Sequence, residues 1–173
     1  MVLTDIAPLE RWAELEKEIH RRSALNASVF DIDGIRITNY TEWANRLCPA
    51  VKANEKGQSY ICSVAHQHIA SQAMRSREPV IAECDGGLIK LAVPIFVEDE
   101  FLGVVGGCGH LPVYGEVETF LISKTTGIDE KEIEELSHDM KTMSEEEATS
   151  TIEFIRQEVD EIVRQYVVRK SGN

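Results

Sequence analysis

Residues 88–110, LIKLAVPIFVEDEFLGVVGGCGH, contain two strongly β-prone runs on either side of the acidic turn Glu98-Asp99-Glu100. Runs of this kind joined by a short turn are typical of an antiparallel hairpin. Residues 79–84 predict a further strand just before them. Upstream, Asp33-Gly34 lies between two β-rich runs within 28–38, which is a strong hairpin signal. The sequence therefore predicts four or five antiparallel strands.

Helical patterns surround these strands. Residues 8–22 and 59–76 carry apolar side chains at helical spacing. Asn39 with Glu42 resembles a capping box, which predicts a short helix that Pro49 ends or distorts. Both the short helix and the helix over 59–76 are expected to follow the first hairpin.

The C-terminal third is predicted to be helical. A helix over 115–126 is expected to end at Gly127 with a left-handed cap, and a second helix is expected over 129–140. Ser144 and Glu147 form a capping box for a last helix over 145–168. Its apolar positions alternate by four and three: Ala148, Ile152, Ile155, Val159, Ile162 and Tyr166. This heptad pattern fits two roles equally, packing on the domain itself or forming a dimer or signalling helix.

The order of elements predicts the fold class. Strands followed by helices and then by a strand pair indicate an α+β fold, with helices inserted after the first hairpin of an antiparallel sheet. We expect one domain over 1–173, with an α+β ligand-binding core over 8–114 and C-terminal helices over 115–168. The remaining question is what such a domain binds.

Charge and hydropathy exclude some partners. The chain of 173 residues has a formal net charge of −12, so it repels nucleic acids and anionic membranes. It has no apolar run of roughly 20 residues, and its start does not resemble a secretory signal. A cytoplasmic location is expected, where cysteines are thiols, metal ligands or redox sensors rather than structural disulfides.

The candidate site residues are cysteines and histidines. Cys62 and His66 are four apart on a predicted helix, and Cys108 is predicted to share a strand face with Leu102, Val104 and His110. Gly107 belongs to a glycine cluster that we interpret as the edge of a cavity, because strand glycines often mark close approach of a ligand. The candidate metal ligands are Cys48, Cys62, Cys84 and Cys108.

Such ligands suit zinc, an iron–sulfur cluster or a haem iron. The alternative is that the four cysteines are buried side chains that behave as small hydrophobes. The sequence contains no complete catalytic motif, and we expect no enzyme activity. A small enzyme that uses Cys62 with His66, or Cys108 with His110, is the less favoured alternative.

Several segments together resemble one family. They are Asp31-Ile-Asp-Gly34, Asn45-Arg-Leu-Cys48, Cys62, Cys84-Asp-Gly-Gly-Leu88, Ala92-Val-Pro-Ile95 and Phe101-Leu-Gly103. In this order they are similar to the PocR-type sensory domain, over roughly residues 10–168. Two features depart from that family. Cys108 stands where a glutamine often follows the glycine, and the usual output domain is not within this sequence.

The resemblance implies a PAS/GAF-like sensory fold of bacterial and archaeal signalling proteins that senses small organic compounds. It implies that Cys48, Cys62 and Cys84 are the family's motif cysteines. We therefore expect a small-molecule or cofactor-binding sensor with a cysteine-lined pocket, which signals through its helices to a second copy or to an output domain. A metal, iron–sulfur or haem redox sensor is the alternative.

Overall fold

A four-stranded antiparallel sheet lies at the centre of the computed structural model, which describes residues 1–172. Its strands are β1 (Asn26–Asp31), β2 (Val80–Glu83), β3 (Ile89–Val97) and β4 (Glu100–Cys108), in the spatial order β1-β4-β3-β2. The predicted hairpin over 88–110 and the predicted strand over 79–84 are thus confirmed, as is the α+β class.

The predicted first hairpin forms only in part. The chain turns at Asp33-Gly34, but the second arm makes a single bridge, between Phe30 and Arg36. The arm instead contacts the buried carboxylate of Glu16. The hydroxyl of Thr38 donates to this carboxylate, and the guanidinium of Arg36 lies 3.6 Å from it. β1 is therefore an edge strand.

One face of the sheet is covered by α1 (Leu3–Ile6), α2 (Leu9–Ser23) and the long terminal helix, which we label αC (Glu145–Ser171). The predicted capping box at the start of αC is confirmed: Ser144 and Glu147 exchange side-chain and backbone hydrogen bonds. The heptad positions that are fully buried face the sheet of the same chain: Ala148, Ile155, Val159 and Ile162. This favours the first of the two roles for the seam.

The other face is covered by α3 (Leu47–Ala53), a single turn α4 (Glu55–Gly57), and a π-helical turn (Gln58–Cys62) that continues into α5 (Ser63–Ser76). The helix over 59–76 is confirmed. The short helix predicted after Asn39 forms as α3, but its predicted start is wrong, because helical structure begins only at Leu47.

Two local contacts explain the later helix start. Glu42 Oε2 lies 2.7 Å from His20 Nε2 instead of capping a helix. Pro49 lies in the first turn of α3, where a missing backbone N–H leaves no hydrogen bond unmade, so it helps to start this helix rather than end it.

Two helices connect the sheet to αC: α6 (Thr119–Thr126), which ends at Gly127 in the predicted left-handed conformation, and α7 (Glu130–Ser137). α6 begins later than residue 115 because Glu118 N donates to Gly86 O at 3.0 Å, which holds the preceding segment against the sheet. A parallel two-residue pairing of 111–112 with 142–143 was not predicted. Within residues 1–172 no helix has both the length and the apolar character needed to cross a membrane.

Candidate functional site

A cavity of about 180 Å³ lies between the sheet and the helices α3 to α5. β1, β3 and β4 form one wall, the turn at Gly34 lies at one side, and Ile122 of α6 closes another. Most of its lining is apolar, including Phe30, Leu47 and Ile61. The cavity lies among the elements that carry the four cysteines identified from the sequence.

A row of three polar side chains crosses the sheet along this wall. Asn26 of β1 and Lys90 of β3 are both paired in register with Cys108 of β4, which lies between them. All three line the cavity. Directly opposed residues on neighbouring strands have Cβ atoms about 5 Å apart, so an amide, a thiol and an ammonium group lie side by side under the helices.

The four cysteines all line the cavity, and none of them forms a disulfide. They come from four separate elements: the first turn of α3, the end of the π-helical turn, the loop after β2 and the end of β4. The side chains are Cys48, Cys62, Cys84 and Cys108. The structure therefore brings together the four thiols that the sequence singled out.

Asn45 positions the first of these thiols. Its side-chain oxygen accepts the backbone N–H of Cys48 at 2.7 Å, and its Nδ2 donates to Gly109 O at 2.7 Å and lies 3.2 Å from the Cys48 sulfur. One amide thus joins the start of α3 to the end of β4. This explains why the motif Asn45-Arg-Leu-Cys48 has an asparagine at this spacing.

Three of the four thiols are held in their neutral form. Burial raises the pKa of Cys48, Cys62 and Cys84 above the ordinary value, and the proximity of Cys108 raises the pKa of each further. A neutral thiol is a weak hydrogen-bonding group and a good apolar surface. These three cysteines are therefore suited to line a pocket, whereas an activated nucleophile needs a lowered pKa.

The geometry does not support the metal site that the sequence suggested. Among residues 1–172, no three His, Cys, Asp or Glu side chains lie close enough together to hold a metal ion. The four thiols come from four separate elements and line the cavity without forming such a group. The expectation of a four-cysteine ligand set for zinc, an iron–sulfur cluster or haem has no support in this arrangement.

His66 lies in the cavity wall with Phe30. The two ring centroids are 3.9 Å apart, and an added Cβ on Gly34 would lie 3.4 Å from the imidazole. Burial, together with the nearby Lys90 and Lys52, lowers the pKa of His66 to about 4. His66 is therefore a neutral ring at pH 7, and its Nε2 has no hydrogen-bond partner within the described residues.

Two predicted site residues lie elsewhere. His110 is buried outside this cavity, beside Arg22 and Lys141, because Gly109 has φ +114° and reverses the alternation of side chains at the end of β4. The expectation that it shares a face with Cys108 is wrong. Gly107 faces the opposite side of the sheet, where an added Cβ would lie 2.9 Å from Leu25.

A second positive-φ glycine explains why the predicted position of Leu102 is also wrong. Leu102 belongs to the core on the αC side, whereas Val104 faces α5 as predicted. Between them Gly103 has φ +149°, and the pairing with β3 shifts its register nearby. Alternation along β4 therefore holds only from Val104 to Cys108, between Gly103 in the strand and Gly109 just after it.

Sequence reasoning missed several polar residues of the cavity, among them Asn26, Lys52, Gln58 and Lys90. The signal for Lys90 was available, since it is the one charged residue in the run 88–97 and its partner in the hairpin is Cys108. No local pattern identified Gln58, whose position depends on the π-helical turn.

The fold and the cavity together define an α+β domain with a cavity under one face of an antiparallel sheet. Comparison with family models gives a specific assignment. The model described as the sensory domain found in PocR matches residues 5–166, and the chain belongs to this family. Neither the curated proteins nor the solved structures contain a significant match.

Proposed function

We propose that this chain is a sensory domain that binds a small organic molecule in the cavity and signals its presence through β3 to αC. The observation that carries the proposal is the set of buried polar atoms that lack partners in the cavity wall. They are Asn26 Oδ1, Gln58 Oε1 and His66 Nε2, none of which is hydrogen-bonded within residues 1–172. Buried polar atoms are nearly always paired, so a ligand or ordered water is expected to complete them.

The volume limits the size of the ligand. An engineered apolar cavity of about 150 Å³ holds benzene. The cavity here has about 180 Å³, which suits a molecule of roughly six to ten non-hydrogen atoms. This size agrees with a sensor of small metabolites.

β3 connects the cavity to αC because its side chains alternate between the two faces. Lys90 and Ala92 face the α5 side, while Leu91 packs near Ala148 and Val93 packs in the same core as Ile155. A ligand that binds better to one position of β3 shifts the equilibrium between positions of αC. The output is then carried by αC to a second copy or to another domain.

The sensory family favours a receptor over an enzyme. The raised pKa values of Cys48, Cys62 and Cys84 support the same view, because a thiol nucleophile requires a thiolate. The free thiols are in keeping with a reducing compartment such as the cytoplasm.

A pair of neighbouring substitutions on α5 tests the proposal. Ala65 lines the cavity and Ala65→Phe fills it, whereas Val64 is exposed and Val64→Phe is the matched control. The melting temperature is measured with a panel of small alcohols, amides and carboxylates at millimolar concentration. We expect compounds that raise the melting temperature of the wild type and of Val64→Phe but not that of Ala65→Phe.

Small molecules that copurify with the protein give a second readout. Mass spectrometry of the denatured protein should find a compound of the stated size in the wild type and not in Ala65→Phe. Equal stabilisation of both variants by the panel would contradict a ligand site in this cavity. So would the absence of any stabilising compound together with the absence of any copurified molecule.

A further inference from the structure

Two lysines bring positive charge into the cavity of a strongly acidic chain. The chain has a net charge of −12, yet the charged residues that line this space are Lys52, Lys90 and Asp33, and Asp33 is on the exposed turn. Lys52 lies near the end of α3 and Lys90 lies in the middle of the sheet wall. The cavity is therefore locally positive against the average of the molecule.

These two lysines differ in burial from the others. Within residues 1–172 they alone are half-buried, whereas the remaining lysines are exposed: Lys17, Lys56, Lys124, Lys131, Lys141 and Lys170. Both withdrawn lysines line the same cavity. Chance placement of surface lysines does not account for this coincidence.

Neither ammonium group has an anionic partner. No described residue forms an ion pair or a hydrogen bond with Lys52 or Lys90, and the contact recorded for Lys52 is with the ring of Trp43 at 5.9 Å. Lysine is rarely withdrawn from water unless it is paired, because an unpaired charge loses hydration without compensation. Their positive charge extends into the cavity, where both lower the pKa of His66.

We propose that the ligand is a small carboxylate whose anionic group lies between Lys52 and Lys90. Its apolar part would pack against Phe30, Ile61 and the neutral thiols. This inference rests on the proposed function and adds the chemical class of the ligand. A carboxylate supplies the anionic partner that the two ammonium groups lack. Charge-assisted hydrogen bonds to ammonium groups are stronger than neutral ones.

The test compares carboxylates with neutral molecules of the same shape. Butanoate, hexanoate and benzoate are titrated into the full chain by calorimetry, beside butanamide, hexanamide and benzamide. At least one carboxylate should bind about tenfold more tightly than its amide, as expected for a hydrogen bond that gains a charge. Its affinity should fall with added salt, because the ions screen the attraction.

Charge removal identifies the residues. Lys52→Met and Lys90→Met should each weaken carboxylate binding about tenfold or more and leave amide binding within about twofold. Lys56→Met removes an exposed lysine from the neighbouring turn and should leave both unchanged. Because Lys90→Met removes an unpaired half-buried charge, the free variant should melt no lower than the wild type.

Three results would overturn the inference. They are an amide that binds as tightly as its carboxylate, a carboxylate affinity that survives Lys90→Met and Lys52→Met, and a lack of binding by every carboxylate. Binding of the amides that Ala65→Phe blocks would reject the anion while it supports the sensory cavity. The two proposals therefore fail in different ways.

Discussion

The two faces of the four-stranded sheet differ in how completely they are packed. On one face α2 and αC bury Trp12, Ile95 and Ile155 in a core without exposed side chains. On the other face α3 to α5 leave a cavity of about 180 Å³ with thiols, an imidazole and two ammonium groups in its wall. The same strands serve both faces, since successive side chains of a strand point to opposite sides.

The two faces of the sheet therefore contribute differently to the apolar core. The packed face buries the larger share of the apolar core, and the other face buries a smaller share around the cavity. β3 belongs to both, with Leu91 and Val93 toward αC and Lys90 toward the cavity.

The two tryptophans provide the strongest test. Trp12 is fully buried on the packed face and donates to Leu3 O at 3.1 Å, whereas Trp43 lines the cavity and is 38% exposed. Trp12→Ala should lower the free energy of unfolding by about 3–5 kcal/mol, and Trp43→Ala by less than about 1 kcal/mol. Urea unfolding measures both. Similar losses in the two variants would contradict the division between the faces.

A pH effect follows from His66, whose pKa is lowered from 6.5 to about 4 by burial. Above pH 6.5 the ring is neutral in both states. As the pH falls below 6.5, this histidine binds a proton in the unfolded chain but stays neutral in the folded chain. The free energy of unfolding therefore decreases between pH 6.5 and 4. This loss should be on the order of 2 kcal/mol.

His66→Gln should remove that part of the acid destabilisation, while the exposed His68→Gln, two residues along α5, serves as the control. The free energy of unfolding is measured from pH 7 to pH 4 for the three proteins. If the wild type and His66→Gln lose the same amount over this range, the account of His66 is wrong.

Thiol reactivity distinguishes a pocket wall from an active site. Because burial raises the pKa of Cys48, Cys62 and Cys84, iodoacetamide should modify each at least about tenfold more slowly in the folded protein than in urea at pH 7.5. Mass spectrometry of tryptic peptides gives the individual rates. A thiol among these three that reacts faster when folded, at a pH below 7, would favour the cysteine enzyme instead.

The smallest effect concerns the bridge between the two sides of the cavity. Asn45→Ala removes the hydrogen bonds that join the start of α3 to Gly109, and should cost about 1 kcal/mol of stability. Asn39→Ala, at an exposed position, is the control. If both variants unfold at the same urea concentration as the wild type, Asn45 has no structural role in holding Cys48.

Particular elements explain how far the sequence could predict this structure. The hairpin over 88–110 and the start of αC were predictable because the signals are local: a turn between β-prone runs, and Ser144 with Glu147. His110, Leu102 and the short second arm after Gly34 were not predicted correctly. Alternation fails at the positive-φ glycines 103 and 109, and the arm is held by the distant Glu16.

The site was predictable in part for the same reason. The cysteines were identified by residue type, and the fold brings all four to one cavity. Their expected role as metal ligands depended on convergence, which spacing alone does not determine. Lys52 and Lys90 were not predicted as site residues because a charged side chain is ordinarily solvated. Only the structure shows that both line the same cavity.

Fluorescence of Trp43 reports whether a ligand enters the cavity. In the single-tryptophan variant Trp12→Phe, the remaining tryptophan lines the cavity, so a ligand that enters should change its emission in a saturable manner. The account predicts this change with the compound that most raises the melting temperature, and predicts no change when Ala65→Phe is added. Saturable binding that leaves the emission of Trp43 unaltered, or an emission change that persists in Ala65→Phe, would place the ligand elsewhere.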